Sequence, residues 1–512
     1  VKLLIELARI ANLKRVSKID IFDAHSVRSK SSKFNAFYEA MLSDRFRTDR
    51  DAAKALYDTT PADDRYRQLK SRFRRRLLNT VFFLNAHTPI KPRYEQAFAD
   101  CQRDLALVHI LQLYDAEHTV PFLSRQVLNI ALRHHFTGVI LSATQVLMDV
   151  AVREGDPKEF QRLREVQEQY LPLLAAESEA ISIYQEITLR QRQVATTAEG
   201  AMEWDTLRDR LIHLSEHHPA PVIRYLSYLV GAMQYLDQEQ YEITLLISRE
   251  ALQMIEAQPE QFPVSYLFRI RFLLMQAYYH TGQFPPAAAL AESAMTELET
   301  GEEDWLAFMD IYYLISLRTE NLTQAFAILQ RVMQHPQFSR WEAAVRERWQ
   351  LYQAALYYMA SIFPGMARLR ASKVFSGFAV DQFLGDPALF PRERRIFTIW
   401  TLILQLLFSL EARDTQRVWE IAERLKHYTR KQLHPIRHER VIEFIRCLGQ
   451  ITKAELDPEK VRFNNKYYLR LLSIPHRYHG LDDQVEILPF TTLWALLHKR
   501  LQQLNLGNNH QS

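Results

Sequence analysis

Along most of this chain apolar residues recur at spacings of three and four, the period of a helix with one buried face. From residue 92 to about 440 the pattern runs as amphipathic segments of roughly 13–25 residues joined by short polar turns. The turns read GDPKEF (155–160), HHPAP (217–221), DQEQY (237–241), HTGQF (280–284), RTENL (318–322) and EARDT (411–415). Strand-like alternation is confined to KIDIFD (18–23) and VEILPF (485–490), each read as a brief strand. A helical hairpin on its own leaves an apolar face in water, and stacking hairpin on hairpin covers it. The pattern therefore predicts an all-α protein built as an irregular α–α solenoid.

The two ends depart from the array. After a short helix over 3–13 and a Ser/Lys/Arg loop over 26–33, Phe34, Phe37, Met41 and Leu42 mark a helix. Thr48, with Asp51 three residues on, is an N-cap with a capping box, opening a helix to Tyr57. Thr59-Thr60-Pro61 breaks the chain before Asp63 or Asp64 opens a long helix to about Leu84. Past residue 456 the repeat pattern fades, through Pro475, His476 and Gly480, into a closing helix over 491–504 and a frayed tail from Gly507. The expected organisation is a basic helical head (1–90), a helical solenoid (91–455) and a C-terminal cap with tail (456–512).

The clearest unit, RFLLMQAYYHTGQFPPAAALAESAM (271–295), resembles a tetratricopeptide repeat through Leu274, Ala277, Tyr278, Gly282, Phe284, Ala287 and Ala294. The small alanines let two helices approach closely, and the aromatic rings fill the space beside them. Arg271 stands where the family usually has tryptophan, and Pro285-Pro286 open the second helix, where proline is tolerated. Partial copies fall in 228–251, 309–332 and 402–425. As a whole the chain is similar to bacterial helical-repeat proteins of uncharacterised activity. The resemblance implies a concave groove lined by first helices, here at Arg269, Phe272, Gln276, Tyr279 and His280, taking a peptide or protein partner.

Composition narrows the function classes. Only 12 of 512 residues are glycine, and no G-x-G or Gly-Lys pair occurs, so dinucleotide fingerprints and phosphate loops are absent. Cys101 and Cys447 are the only cysteines, too few and too far apart for a disulfide framework or a cysteine zinc site. The opening VKLLIELARIANLKRV lacks the uninterrupted apolar core of a signal peptide. The most apolar run, Ile396–Leu410, is interrupted by Thr398, Thr401, Gln405 and Ser409, which suits a buried core helix better than a membrane span. These features point to a cytoplasmic, non-catalytic binding protein with no cofactor and no membrane partner.

Charge singles out the head. Residues 1–80 carry 19 Lys and Arg against 10 Asp and Glu, although the whole chain is only +4. Seven basic residues fall between Arg65 and Arg76, and no acid occurs from Arg65 to Tyr94. Beyond a buried stripe of Tyr66, Leu69, Phe73, Leu77 and Leu84, the helical wheel places Arg67, Lys70 and Arg74 on one shoulder and Arg75 outward. Helix, turn and basic helix together resemble the recognition half of a winged-helix transcriptional regulator. The alternative function is thus a nucleic-acid-binding regulator with a solenoid sensor, using Arg67, Lys70, Arg74 and Arg75. A remote alternative, a zinc-dependent hydrolase, rests on His213-Leu214-Ser215-Glu216-His217, an H-x-x-E-H motif in which the histidines would share a metal and Glu216 act as base. A second basic stretch, from Arg424 to Arg446, reads as solvated surface.

Overall fold

A computed structural model of the chain describes residues 33–42, 45–46, 48–82, 93–114, 116–194, 204–298, 303–363, 366, 370, 372, 374–376, 378–385, 395–433, 438–475 and 486–509. Among the described residues there are 21 α-helices and no strand. KIDIFD, and with it the first predicted helix, lies outside them. Val485 lies outside them too, and the rest of VEILPF is not a strand: residues 486–489 are irregular, and a helix already begins at Phe490. The reason is polar, since the buried Glu486 carboxylate accepts the Phe490 amide at 3.0 Å.

The chain packs as two units, one of residues 1–226 with 255–264 and one of residues 227–254 with 265–512. The first unit begins with the head, made of α1 (Lys33–Leu42), α2 (Asp49–Tyr57) and α3 (Asp64–Phe82). Its core gathers Phe34, Phe37, Met41, Ala52, Ala53, Tyr66, Leu69, Phe73 and Leu77. The Thr48–Asp51 capping box forms as the sequence predicts, the Asp51 amide donating to Thr48 Oγ1 at 3.2 Å and the Thr48 amide to Asp51 Oδ2 at 2.9 Å.

The rest of the first unit is a run of antiparallel neighbours, α4 (Arg93–Gln112), α5 (Thr119–His134), α6 (Thr137–Glu154) and α7 (Pro157–Val194), followed by α8 (Trp204–His217). With 38 residues, α7 exceeds the predicted lengths and would run about 57 Å if straight. No glycine lies within it, and Pro172 removes a single backbone donor without ending it.

In the second unit, α12 (Phe284–Glu297), α13 (Glu303–Arg318), α14 (Leu322–Met333) and α15 (Ala343–Ile362) pack each on the next. Then α17 (Arg395–Glu411) packs on α15 and on the short α16 (Val380–Gly385), followed by α18 (Thr415–Gln432), α19 (Glu439–Lys453), α20 (Lys466–Ser473) and α21 (Phe490–Asn509). The apolar run of α17 is a core helix, with Thr398, Thr401, Gln405 and Ser409 all buried in it. Among the described residues no helix is long and apolar enough to cross a membrane. The second unit also holds most of α9 (Pro221–Asp237), α10 (Tyr241–Ala257) and α11 (Val264–His280).

One turn recurs five times in the second unit; past α19 it forms at Glu455 (φ 54°), where the Leu456 amide reaches the Ile451 carbonyl at 3.1 Å. Two residues past the ends of α9, α11, α13 and α17 stand Glu239, Gly282, Glu320 and Arg413, with φ of 60°, 71°, 56° and 57°. In each turn the next amide reaches back to a carbonyl five residues earlier: Gln240 to Tyr235 (2.8 Å), Gln283 to Tyr278 (2.9 Å), Asn321 to Ser316 (2.8 Å) and Asp414 to Ser409 (3.0 Å). This is the Schellman closure of a helix end. Asn321 and Asp414 then cap the following helices, accepting the Gln324 and Arg417 amides. Beside Gly282, the alanines Ala287 and Ala294 are fully buried on α12. Arg271, in place of tryptophan, is itself buried and donates to Glu297 at 3.2 Å.

Candidate partner-binding surfaces

The groove expected on α11 is partly occupied by the protein itself. Arg269 is exposed, and Phe272 and Gln276 are half-buried. The Phe272 ring packs against Phe308 of α13 at 5.5 Å. The half-buried His280 ring lies flat on Tyr241, 4.2 Å away with 3° between planes. Tyr279 is only 2% exposed, and its hydroxyl accepts a hydrogen bond from Arg318 Nε at 3.3 Å. A partner could reach Arg269, Phe272 and Gln276 on this helix; Tyr279 belongs to the core.

Tyr279 opens onto a buried ionic seam that the sequence gives no sign of. Arg318 Nη2 lies 3.1 Å from Glu486 Oε1, and Arg440 grips both oxygens of the same carboxylate. Arg440 also donates to the carbonyls of Leu471 (2.9 Å) and Ile474. It is therefore not part of a solvated stretch, as its basic neighbours suggested. Burial works against the charge of Arg318, but Tyr279 and Glu486 outweigh it and hold its pKa above the usual value. A second buried carboxylate, Asp310, accepts the Tyr352 hydroxyl at 2.8 Å, with Arg348 3.9 Å away. Tyr352 in turn stacks on Tyr313 at 4.6 Å. Each charge here faces a partner, so the seam reads as structural pairing between helices.

On α3 the basic residues divide. Lys70 is half-buried and bound to Asp49 Oδ1 at 2.7 Å, the same oxygen that accepts the Tyr66 hydroxyl at 2.6 Å. Partial burial raises the Asp49 pKa, but Lys70 and Tyr66 bring it below the usual carboxylate range. Arg65 folds back on Asp63, Arg67 lies 3.5 Å from Asp64, and Arg76 sits over the Phe34 ring. Asp63, Asp64 at the start of α3 and Asp49 of α2 therefore temper the charge of the basic run. Arg72, Arg74 and Arg75 are exposed and have no ion-pair partner among the described residues.

The His213 and His217 rings stack at 4.1 Å, so their spacing does bring them together at the end of α8. His217 Nδ1 is engaged with the His213 carbonyl at 2.8 Å. Among the described residues no group of three or more His, Cys, Asp or Glu side chains gathers to hold a metal ion. Both thiols are buried, and burial pushes Cys101 and Cys447 up to about 12.

A cleft of about 320 Å³ lies between α18 and α19, with Tyr467 of α20 also lining it. Ile442, Ile445 and Leu448 line it, and Trp419, 43% exposed, stands at its edge. Four cations rim it. Lys426 is paired with Glu423 at 3.0 Å and Arg446 with the buried Glu443 at 2.6 Å. Arg430 and Lys453 are exposed and have no partner among the described residues. The apolar lining offers burial and the rim offers positive charge, a combination hidden in the sequence because Glu439 and Glu443 interrupt the basic run. Trp419 within an otherwise polar face of α18 was the available signal. The chain matches no known family, curated protein or solved structure in the comparisons made.

Proposed function

We propose that this protein is a non-catalytic scaffold or adaptor that binds a peptide or protein on stacked, tetratricopeptide-like helical hairpins. The observation that carries the reading is the α18–α19 cleft, where an exposed tryptophan and an apolar lining meet two cations with no partner among the described residues. Exposed aromatic residues beside arginine are the anchors by which protein interfaces gain most of their affinity. The favoured partner is an acidic segment with one aromatic or aliphatic anchor, the carboxylates meeting Arg430 and Lys453. The exposed Leu113, Tyr114, Phe122 and Val152 of the first unit add apolar surface of the kind that marks interaction sites.

An array of acidic peptides, each with a single Trp, Phe or Leu, tests the reading on the full chain. Bound peptide should shift the emission of Trp419, and Arg430→Glu with Lys453→Glu should weaken binding at least tenfold. Peptides that bind the charge-reversed protein as tightly as the wild type would remove the cleft from the proposal.

A further inference from the structure

The head carries a feature that the scaffold reading does not use, and its helix α3 is laid out like an element that reads a duplex. The buried stripe Tyr66, Leu69, Phe73 and Leu77 fixes which side of α3 faces the head's core. At 100° per residue the opposite stripe is Gln68, Ser71 and Arg75, and all three are exposed. Their side chains are of the kinds that contact base edges: an amide, a hydroxyl and a guanidinium. Arg74, beside the more screened Arg67, lies on one flank of that stripe and Arg72 on the other, both exposed. Three guanidiniums with no ion-pair partner among the described residues thus fan out from about one turn, the outer two placed to straddle a groove and the middle one to enter it.

The support beneath α3 is rigid. Asp63 holds the first turn by accepting the Arg65 amide at 2.8 Å, and Lys70 ties α3 to α2 through Asp49. The Phe73 ring is locked against Phe34 and Phe37 at 4.9 and 4.8 Å. Arginines on a preorganised helix lose little freedom on meeting phosphate oxygens, and the guanidinium plane matches them in pairs. A helix with its side chains is about 10–12 Å across, which the roughly 12 Å major groove of B-form DNA admits and the narrow major groove of an RNA duplex does not.

We infer that the head binds double-stranded DNA, with α3 in the major groove, Arg72 and Arg74 on phosphates of the two groove walls, and Gln68, Ser71 and Arg75 toward base edges. This is a function separate from the α18–α19 cleft. The test uses the full chain and a duplex of about 30 base pairs, first of random sequence and then of the sequence enriched from that pool by repeated selection. Affinity should fall linearly on a log–log plot against salt, and R72A/R74A should flatten that slope by about 1.8. R75A should weaken binding to the enriched sequence about tenfold while changing binding to the random pool far less. All three positions are exposed on a helix, where alanine is well tolerated, and circular dichroism of each variant verifies folding. Three outcomes would overturn the inference: no duplex binding at about 50 mM salt, unchanged binding by R72A/R74A/R75A, or preferential binding of single-stranded or duplex RNA.

Discussion

Arg440 holds Glu486 in a two-pronged ion pair across 46 residues of sequence, Nε at 2.7 Å from one carboxylate oxygen and Nη2 at 3.1 Å from the other. The same carboxylate takes Arg318 and the first amide of α21, so one buried acid joins α13, α19 and α21.

Removing that acid should leave two guanidiniums facing each other in the interior. Glu486→Gln is expected to cost about 3 kcal/mol, because a lost partner exposes the desolvation cost of the charge left behind. Urea denaturation measures it. An E486L/R440M double variant should lose much less than the sum of the two single losses, and simple additivity would contradict the coupling.

At the recurrent turn, Glu320 occupies a left-handed conformation that costs a residue with a Cβ roughly 1–2 kcal/mol. Glu320→Gly should therefore stabilise the second unit by about 0.5–1 kcal/mol, after glycine's greater entropy in the unfolded chain is subtracted. Gly282→Ala should destabilise it by a similar amount. Thermal unfolding of the two variants should move in opposite directions; movement in the same direction would refute the assignment.

The head has its own test in Phe73, which is fully buried and touches Phe34, Phe37 and Tyr38. Phe73→Ala should cost about 3–5 kcal/mol locally. Amide exchange should lose protection across residues 33–77 before it does so in α13 or α17. Uniform loss over the chain would mean the head does not unfold by itself.

Alkaline pH should weaken the fold through its buried acids. Cys101 and Cys447 are pushed up to about 12, and burial also raises Tyr66, Tyr312 and Tyr358. A group whose folded pKa lies above its unfolded value lends stability that is complete below the unfolded pKa and is lost above it. Melting temperature should hold to about pH 8.5 and then fall toward pH 12. In the native protein neither thiol should react with a disulfide reagent near pH 8, and both should react once it is unfolded. A flat melting profile from pH 8 to 11 would contradict this.

What the sequence showed well was local. Each of the six polar turns named from it separates two helices, and the Thr48–Asp51 cap forms with both of its hydrogen bonds. Those features depend on residues a few positions apart. The Arg440–Glu486 pair, 46 residues apart, left no periodic trace. On α11, helical spacing put Tyr279 beside groove residues, yet the cation on α13 that draws it inward lies 39 residues away. Lys70 looked free for the same reason, since Asp49 belongs to the preceding helix. Scarcity of glycine was also a poor guide to backbone shape. Asp58, His135, Glu239, Glu320, Arg413, Glu455 and Leu456 all take the left-handed conformation, held there by the helix-closing bonds around them.

Those bonds run from main chain to main chain, at Tyr235–Gln240, Tyr278–Gln283, Ser316–Asn321 and Ser409–Asp414. Side-chain identity hardly enters them, but the number of residues enclosed does. Natural variants of this chain should therefore exchange residue types freely at these corners, proline and β-branched types apart, while almost never gaining or losing a single position there. An inserted residue would rotate the next helix by about 100° about its own axis and turn its apolar stripe toward water.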